Sequence, residues 1–401
     1  MQDIIHNNQI LTSFKQIKDI QDLVKYLNNL QNYEVQKLAQ QTNKNLLRKD
    51  ITEKAILYYA YGNKNRYSTF KIPKRKEGER TIKSPDPFLK KIQHLISITL
   101  QNVFTPYPQV TGFVTNRSIV SNASFHTNKK YVYNIDLEDF FTSISFYRVR
   151  AVLAKVKPFQ LEYDIANIIA ALCCDNDCLP QGAPTSPVLS NVVCMRLDAR
   201  IYTLSKEVGF TYSRYADDIT ISSNRNIYTE KFKKNLFNII KEEGFSLNKK
   251  KERLQRYNVK EEGKFIKERQ QVTGIIVNKK TNVSRSVIRN IQAILFNWSK
   301  DGYNETAQSY KHYYLREQGN TRHKLKGKIP SLEMYLNGKI EFIGMVRGKD
   351  DALYQQLKLK FDTLCIKKKM SIEDISSILT IWKEEGIEIA MRRFYSISNL
   401  K

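Results

Sequence analysis

Residues 213–223 read SRYADDITISS, with two carboxylates, Asp217 and Asp218, side by side. Tyr215 and Ala216 before the pair, and Ile219 and Ile221 after it, give the flanks the apolar pattern of half-buried strands around a tight turn. A solvated surface turn would tolerate two acids. Half-buried flanks do not, because like charges at low dielectric repel strongly. A third acid ends another predicted strand, YVYNID at 131–136. There Val132, Asn134 and Asp136 share one face, and Tyr133 and Ile135 the other. Three carboxylates at neighbouring strand ends would be relieved by a divalent cation. Mg²⁺ prefers oxygen ligands and leaves room for waters and substrate phosphates. Two such ions, with Mn²⁺ as the alternative to Mg²⁺, bridge attacking and leaving oxygens in phosphoryl transfer.

The charge of the whole chain agrees with a phosphate-bearing partner. Its 401 residues carry 66 Lys and Arg against 40 Asp and Glu, a net charge of +26. A composition rich in Lys, Asn and Ile explains part of that excess. The rest favours a polyanion, and nucleic acid is the commonest one in a cytoplasm. The 23 Tyr and 19 Phe offer faces on which bases can stack. Hydrophobic residues at 41% support a real core, and the length suggests more than one domain. No apolar run is long enough for a membrane span. The first residues lack the basic, apolar and small-residue pattern of a signal peptide, so a cytoplasmic protein is expected. Cys173, Cys174 and Cys178 lack the paired spacing of a zinc site and read as buried reduced thiols.

Around the acids the pattern alternates between helix and strand. Residues 1 to about 60 read as helical. A basic hairpin follows at 67–87, turning at KEGE (76–79), and a helix starts after Pro87. LEYDIANIIAALCC (161–174) reads as an apolar helix. QGAPTSP (181–187) reads as a loop leading into one long helix. Residues 230–254 read as a helix, a Gly stop and a strand, and QVTGIIVN (271–278) as a short strand. From about residue 284 the chain is again helical and basic. The fold class is therefore α+β, with helical segments on both sides of a mixed middle.

Taken in order, DLEDFF (136–141), QGAPTSP (181–187) and YADD (215–218) resemble the palm motifs of reverse transcriptases, over roughly residues 55–280. RTIKSPD (80–86) is similar to their fingers segment, and GFSLNKKKE (244–252) to their Lys-bearing palm motif. NASFH (122–126), VTG (272–274) and the thumb-like GKIEFIGMVRGKDDALY (338–354) narrow the resemblance to bacterial retron reverse transcriptases. It implies a right-hand polymerase with fingers, an antiparallel palm with helices, and a helical thumb. The implied parts are an N-terminal helical extension (1–55), fingers and palm (56–280), an RNA-binding thumb (281–365) and a C-terminal helical extension (366–401). That last part departs from the compact members.

Carried over by position, Asp136, Asp217 and Asp218 would bind the metals. Phe141 matches the steric gate that leaves no room for a 2′-OH, with the neighbouring Phe140 as the other candidate. Gln181 matches the residue that meets the incoming nucleotide, and Gly182 keeps the backbone beside it thin. Arg80 and Lys71 are candidates for the triphosphate, and a solvated basic hairpin would explain Lys71 as well. Ala216 would line the primer terminus. Lys251, within a run of three lysines, could protonate the leaving pyrophosphate. Asn122 and His126, spaced i, i+4, would stabilise a local turn or touch RNA. Val272, Thr273 and Gly274 lie where a primer grip is expected. The resemblance implies copying of part of a cognate noncoding RNA of the msr-msd type into single-stranded DNA. Priming would come from a guanosine 2′-OH and leave a 2′,5′ branch. It also implies deoxynucleotide substrates, a host ribonuclease H, and anti-phage defence with a separate effector protein. Another bacterial reverse transcriptase (abortive-infection, diversity-generating or intron type) would lack the two retron elements. A non-catalytic RNA-binding scaffold would have no use for three acids.

Overall fold

The computed structural model describes residues 12–42, 49–62, 65–73, 78–226, 229–317, 329–369 and 372–398. It forms two compact units, residues 1–280 and 281–401.

In the first unit, α1 (Ile20–Thr42) and α2 (Glu53–Leu57) precede a hairpin of β1 (Tyr67–Pro73) and β2 (Glu79–Pro85). Residues 76 and 77 of the expected turn lie outside the described residues. Asp86 caps the next helix, α3 (Pro87–Val103), by accepting from Phe88 N, while Pro87 occupies the first turn, where no donor is needed. The short helix α4 (Ile119–Ser124) opens with a Ser118–Ser121 capping box.

The period-two pattern at 131–136 becomes β3 (Tyr131–Asp136). α5 (Phe146–Lys155), α6 (Tyr163–Cys173), α7 (Ser186–Val193) and α8 (Met195–Glu207) follow. The single long helix expected after QGAPTSP is thus two. The chain leaves helical ψ at Cys194 (ψ 0°) before it resumes. β4 (Thr211–Tyr215) and β5 (Asp218–Ser223) form the hairpin read from SRYADDITISS, followed by α9 (Glu230–Glu242). β6 (Arg253–Glu261) and β7 (Lys264–Lys267) complete an antiparallel five-stranded sheet in the order β4-β5-β3-β6-β7. β3 is therefore central and covered on both faces: Val132, Tyr133 and Ile135 are all at most 2% exposed. Each such apolar side chain contributes about 1.5–3 kcal/mol on burial. The acid at its end is thereby held by a strand that cannot shift register cheaply.

QVTGIIVN forms two short strands, β8 (Gln271–Val272) and β9 (Ile275–Ile276), in place of the one expected. Thr273 and Gly274 both take positive φ (+48° and +84°), which is the backbone of a two-residue hairpin turn.

The second unit is helical. α10 (Arg285–Asp301), α11 (Tyr303–Glu317), α12 (Leu332–Arg347), α13 (Ala352–Lys369), α14 (Ile372–Glu385) and α15 (Ile387–Ser398) follow one another. Leu295 and Trp298 of α10 are buried, as are Leu336, Ile340 and Ile343 of α12. Trp298 meets Phe361 of α13 edge-on at 6.1 Å. Gly344 lets α12 approach α13, since a Cβ there would lie 2.5 Å from the Tyr354 ring. No helix among the described residues is long and apolar enough to cross a membrane.

Candidate active site

The register of three strands brings the acids together. β3 pairs with β5 so that Asp136 stands directly opposite Asp218. Residues so paired have Cβ atoms roughly 4.5–5.5 Å apart. β4 pairs with β5 so that Tyr215 faces Asp218, leaving Ala216 and Asp217 as a two-residue turn. Leu137 N donates to Asp217 O at 3.1 Å, tying that turn to the end of β3.

Burial and mutual repulsion raise the proton affinity of Asp217 and Asp218. The Asp218 carboxyl is pushed up to about 7, first by desolvation and then by Asp217 and Asp136. Asp217 is also raised, by desolvation and by Asp136. Lys251 and Arg80 offset part of this charge at Asp217, and Lys251 Nζ lies 2.8 Å from both oxygens of Asp136. Backbone bonds fix which of the three lysines does this. Glu138 N donates to Ser246 O, Asn248 N donates to Asp136 O, and Lys251 N closes the turn onto Asn248 O. An oxygen-only ligand set whose negative charge is only partly relieved by Lys251 fits a hard divalent cation. Among the described residues, no three His, Cys, Asp or Glu side chains are grouped as a ready-made metal cage. Lys251 takes up the Asp136 oxygens instead.

The acids form one wall of a cavity of about 740 Å³. Arg80, Phe141, Gln181, Ala216 and Lys251 line it as well, with Phe140 beside Phe141. Phe140 is 5% exposed and packs on Phe245. Phe141 is only partly buried, so of the two it is the ring more open to solvent. Gly182 sits behind Gln181, and a Cβ there would meet Lys83 O at 2.6 Å. Its φ of +133° and the bond from Lys83 N to Gln181 O press this loop against β2.

Other expected residues lie elsewhere. Lys71 makes an exposed pair with Glu79 at 2.9 Å and does not line the cavity. Such surface pairs contribute little. Val272 is fully buried, and Thr273 Oγ1 donates to Ile119 O, holding the β8–β9 turn against α4. Asn122 and His126 are fully buried too, so of their two expected roles the burial favours the structural one over contact with RNA. Asn122 Oδ1 accepts from Thr111 Oγ1. The His126 ring nitrogens each lie 2.7 Å from a hydroxyl, Ser222 of β5 and Ser213 of β4. One nitrogen donates and the other accepts, so a neutral ring joins the two strands that flank the Ala216–Asp217 turn.

Burial, with a smaller contribution from Lys129, lowers the His126 pKa to about 3. The unfolded chain keeps an ordinary value near 6.5. The stabilisation from a neutral His126 is therefore complete above about 6.5 and is lost as pH falls toward 3. The stability advantage of wild type over His126→Gln is expected to shrink between about pH 7 and pH 4 in thermal melts. A constant difference would contradict a buried neutral ring.

Sequence patterns did not single out what braces the turn from behind. Arg214, fully buried, holds Asp198 of α8 with Nε and Nη2 at 2.7 Å, while its Nη1 donates to Ala216 O at 3.0 Å. Tyr212 Oη also donates to Asp198. Burial opposes the Arg214 charge, and the Asp198 carboxylate outweighs it. Ala216 has φ +56°, a strained conformation for a residue with a Cβ. Gly112 packs onto this turn so closely that a Cβ would lie 2.4 Å from Ala216 N. A charged residue inside a half-buried strand, in SRYADD, was the available signal for Arg214.

Comparison with known proteins follows the same outline. The family model described as "Reverse transcriptase (RNA-dependent DNA polymerase)" matches residues 72–277. The retron Mx65 reverse transcriptase of Myxococcus xanthus is 34% identical over 247 residues, covering 57% of this chain and 55% of that protein. The retron Ec86 reverse transcriptase of Escherichia coli is 32% identical over 231 residues, covering 57% of this chain and 68% of that protein. The match thus spans little more than half the length of the first relative. A solved telomerase from Candida albicans aligns at a TM-score of 0.43 and 11% identity, over 89% of this chain and 70% of that one.

Proposed function

The chain belongs to the reverse transcriptase family, and within it to the retron reverse transcriptases; from that premise we propose that it is an RNA-directed DNA polymerase that copies part of a cognate noncoding RNA into single-stranded DNA. One observation carries the reading. Asp136 faces Asp218 across β3 and β5, beside Asp217, in a cavity that Arg80, Gln181 and Phe141 also line.

Asp136, Asp217 and Asp218 would hold two Mg²⁺ ions. Bound there, Mg²⁺ neutralises the triphosphate and its leaving pyrophosphate and lowers the pKa of the attacking hydroxyl. Arg80 offers a planar two-pronged donor to the triphosphate. Gln181 meets the incoming nucleotide, and Phe141 excludes a 2′-OH. Lys251, already in the cavity, is the proton donor for the pyrophosphate. Ala216, small and held by Arg214, lies under the primer terminus. The primer is a guanosine 2′-OH of the same RNA, so the product stays joined through a 2′,5′ linkage. Residues 281–365, within the second unit, serve as the RNA-binding thumb. Host ribonuclease H removes the copied template in the cytoplasm, and a separate effector protein acts with the complex in anti-phage defence.

Nucleic acid extracted from the purified protein tests this directly. A branched RNA–DNA species is expected. Linear DNA without a 2′,5′ branch would point to another class of reverse transcriptase, and absence of DNA with RNA still bound would favour a scaffold.

The net charge of +26 makes a second prediction. RNA affinity should fall by about 10³-fold or more between roughly 50 and 200 mM salt if about six phosphates are contacted, because bound counterions are released. Binding measured across that range and found flat would remove the electrostatic argument.

A further inference from the structure

Phe113 is the one aromatic residue with positive φ (+61°) among the described residues. That region is unfavourable for a bulky side chain and persists only where the surroundings hold it. Here they do. Thr111 N donates to Arg214 O, Asn191 Nδ2 donates to Gly112 O, and Gly112 is pressed against Ala216. The backbone on the N-terminal side of Phe113 is therefore pinned to the Asp217 turn.

The ring does not gain a place in the core for this strain. It stays 40% exposed and lines the same cavity as the three acids. It meets Phe141 at 6.0 Å and Tyr215 at 6.5 Å, tilted against both. An apolar ring kept half in water forgoes burial. The position is reasonable if the ring has a task at the cavity wall.

We propose that Phe113 is a second specificity-determining residue, forming with Phe141 one apolar wall against which the sugar of the incoming nucleotide packs. The inference rests on reading Phe141 as the steric gate. Phe141 is a partly exposed ring that meets Phe140 on one side at 5.3 Å. Phe113 stands beside it on a backbone that cannot move without moving the Asp217 turn. The wall they make has no donor or acceptor, so a ribose 2′-OH placed there would be both crowded and left without a hydrogen bond.

The test uses a DNA primer annealed to an RNA template, with a deoxynucleotide and the ribonucleotide of the same base. Phe113→Gly removes the ring and accepts positive φ without strain. Phe113→Asn, which also tolerates that φ, serves if the glycine variant does not fold. The ratio of kcat/KM for the deoxynucleotide over the ribonucleotide is expected to fall about tenfold in either variant, with incorporation of the deoxynucleotide retained. A larger fall is expected for Phe141→Ala. If Phe141→Ala relaxes discrimination and the Phe113 variants leave it unchanged, the proposal is wrong and the gate reading stands. If neither position changes the ratio, the gate reading itself fails and takes the proposal with it. A folded Phe113 variant that no longer incorporates deoxynucleotides would also overturn it, since the ring would then serve synthesis in general.

Discussion

Replacing Asp217 and Asp218 together by Asn will abolish DNA synthesis and leave RNA binding in place. Asn keeps the volume of each side chain and removes only the charge, so the hairpin that carries them has no reason to unfold. The expected loss of rate is about 10³-fold or more, the scale on which preorganised electrostatic groups act in catalysis. Stability should move the other way. Asp218 has its pKa raised to about 7, above the ordinary carboxylate value. Its proton therefore favours the folded state. That contribution is complete below about pH 4 and disappears as pH rises through 7. Above pH 7 the ionised pair is a burden on the metal-free protein, and the Asn variant should melt at or above the wild-type temperature in EDTA at pH 8. Such opposition between site chemistry and stability is common where like charges are gathered for function. Primer extension and RNA binding measured on the same sample decide the matter. Synthesis that survives the substitution would refute the assignment of these acids.

Asp198→Ala will have the largest effect on stability. It leaves Arg214, fully buried, with its charge unpaired and removes the acceptor of Tyr212 Oη. Breaking one side of a buried ion pair costs about 3–5 kcal/mol, because the remaining charge has neither water nor a partner. Replacing both members, Asp198→Leu with Arg214→Met, should recover most of that loss, since apolar side chains of similar size fill such sites well. It should not recover activity, because Ala216 O then lacks the Arg214 donor that steadies the turn carrying Asp217. Denaturation curves and primer extension on the single and double variants separate the two roles. A double variant that is both stable and fully active would mean that the brace on Ala216 has no part in synthesis.

How much of this was legible beforehand depends on how local each feature is. The hairpin at 211–223 follows from alternation around a two-residue turn, and the helix after Pro87 from its cap and its Pro. These are properties of neighbours in the chain. The order of the acidic, QGAP and YADD motifs is likewise a property of the sequence. Spacing misleads when the question is inside or outside. Asn122 and His126 share a helix-like interval, yet they are buried and face Thr111, Ser213 and Ser222. The interval i, i+4 says that two residues share a face, and nothing about what that face meets. In QVTGIIVN the apolar run masks a Thr-Gly turn, and the two short strands separate only where Thr273 and Gly274 take positive φ.

From the sequence alone came the residue types of the site, the basic partner-seeking charge and the α+β alternation, since each is written in composition or short-range period. Tertiary structure decided which residues became partners: Lys251, not its two neighbours, on Asp136; Asp198 with Arg214, sixteen positions apart; and Phe113 beside Phe141. The reason is that strand register and burial arise only when distant segments close on one another, and it is those closures that set the distances on which charge, strain and contact depend.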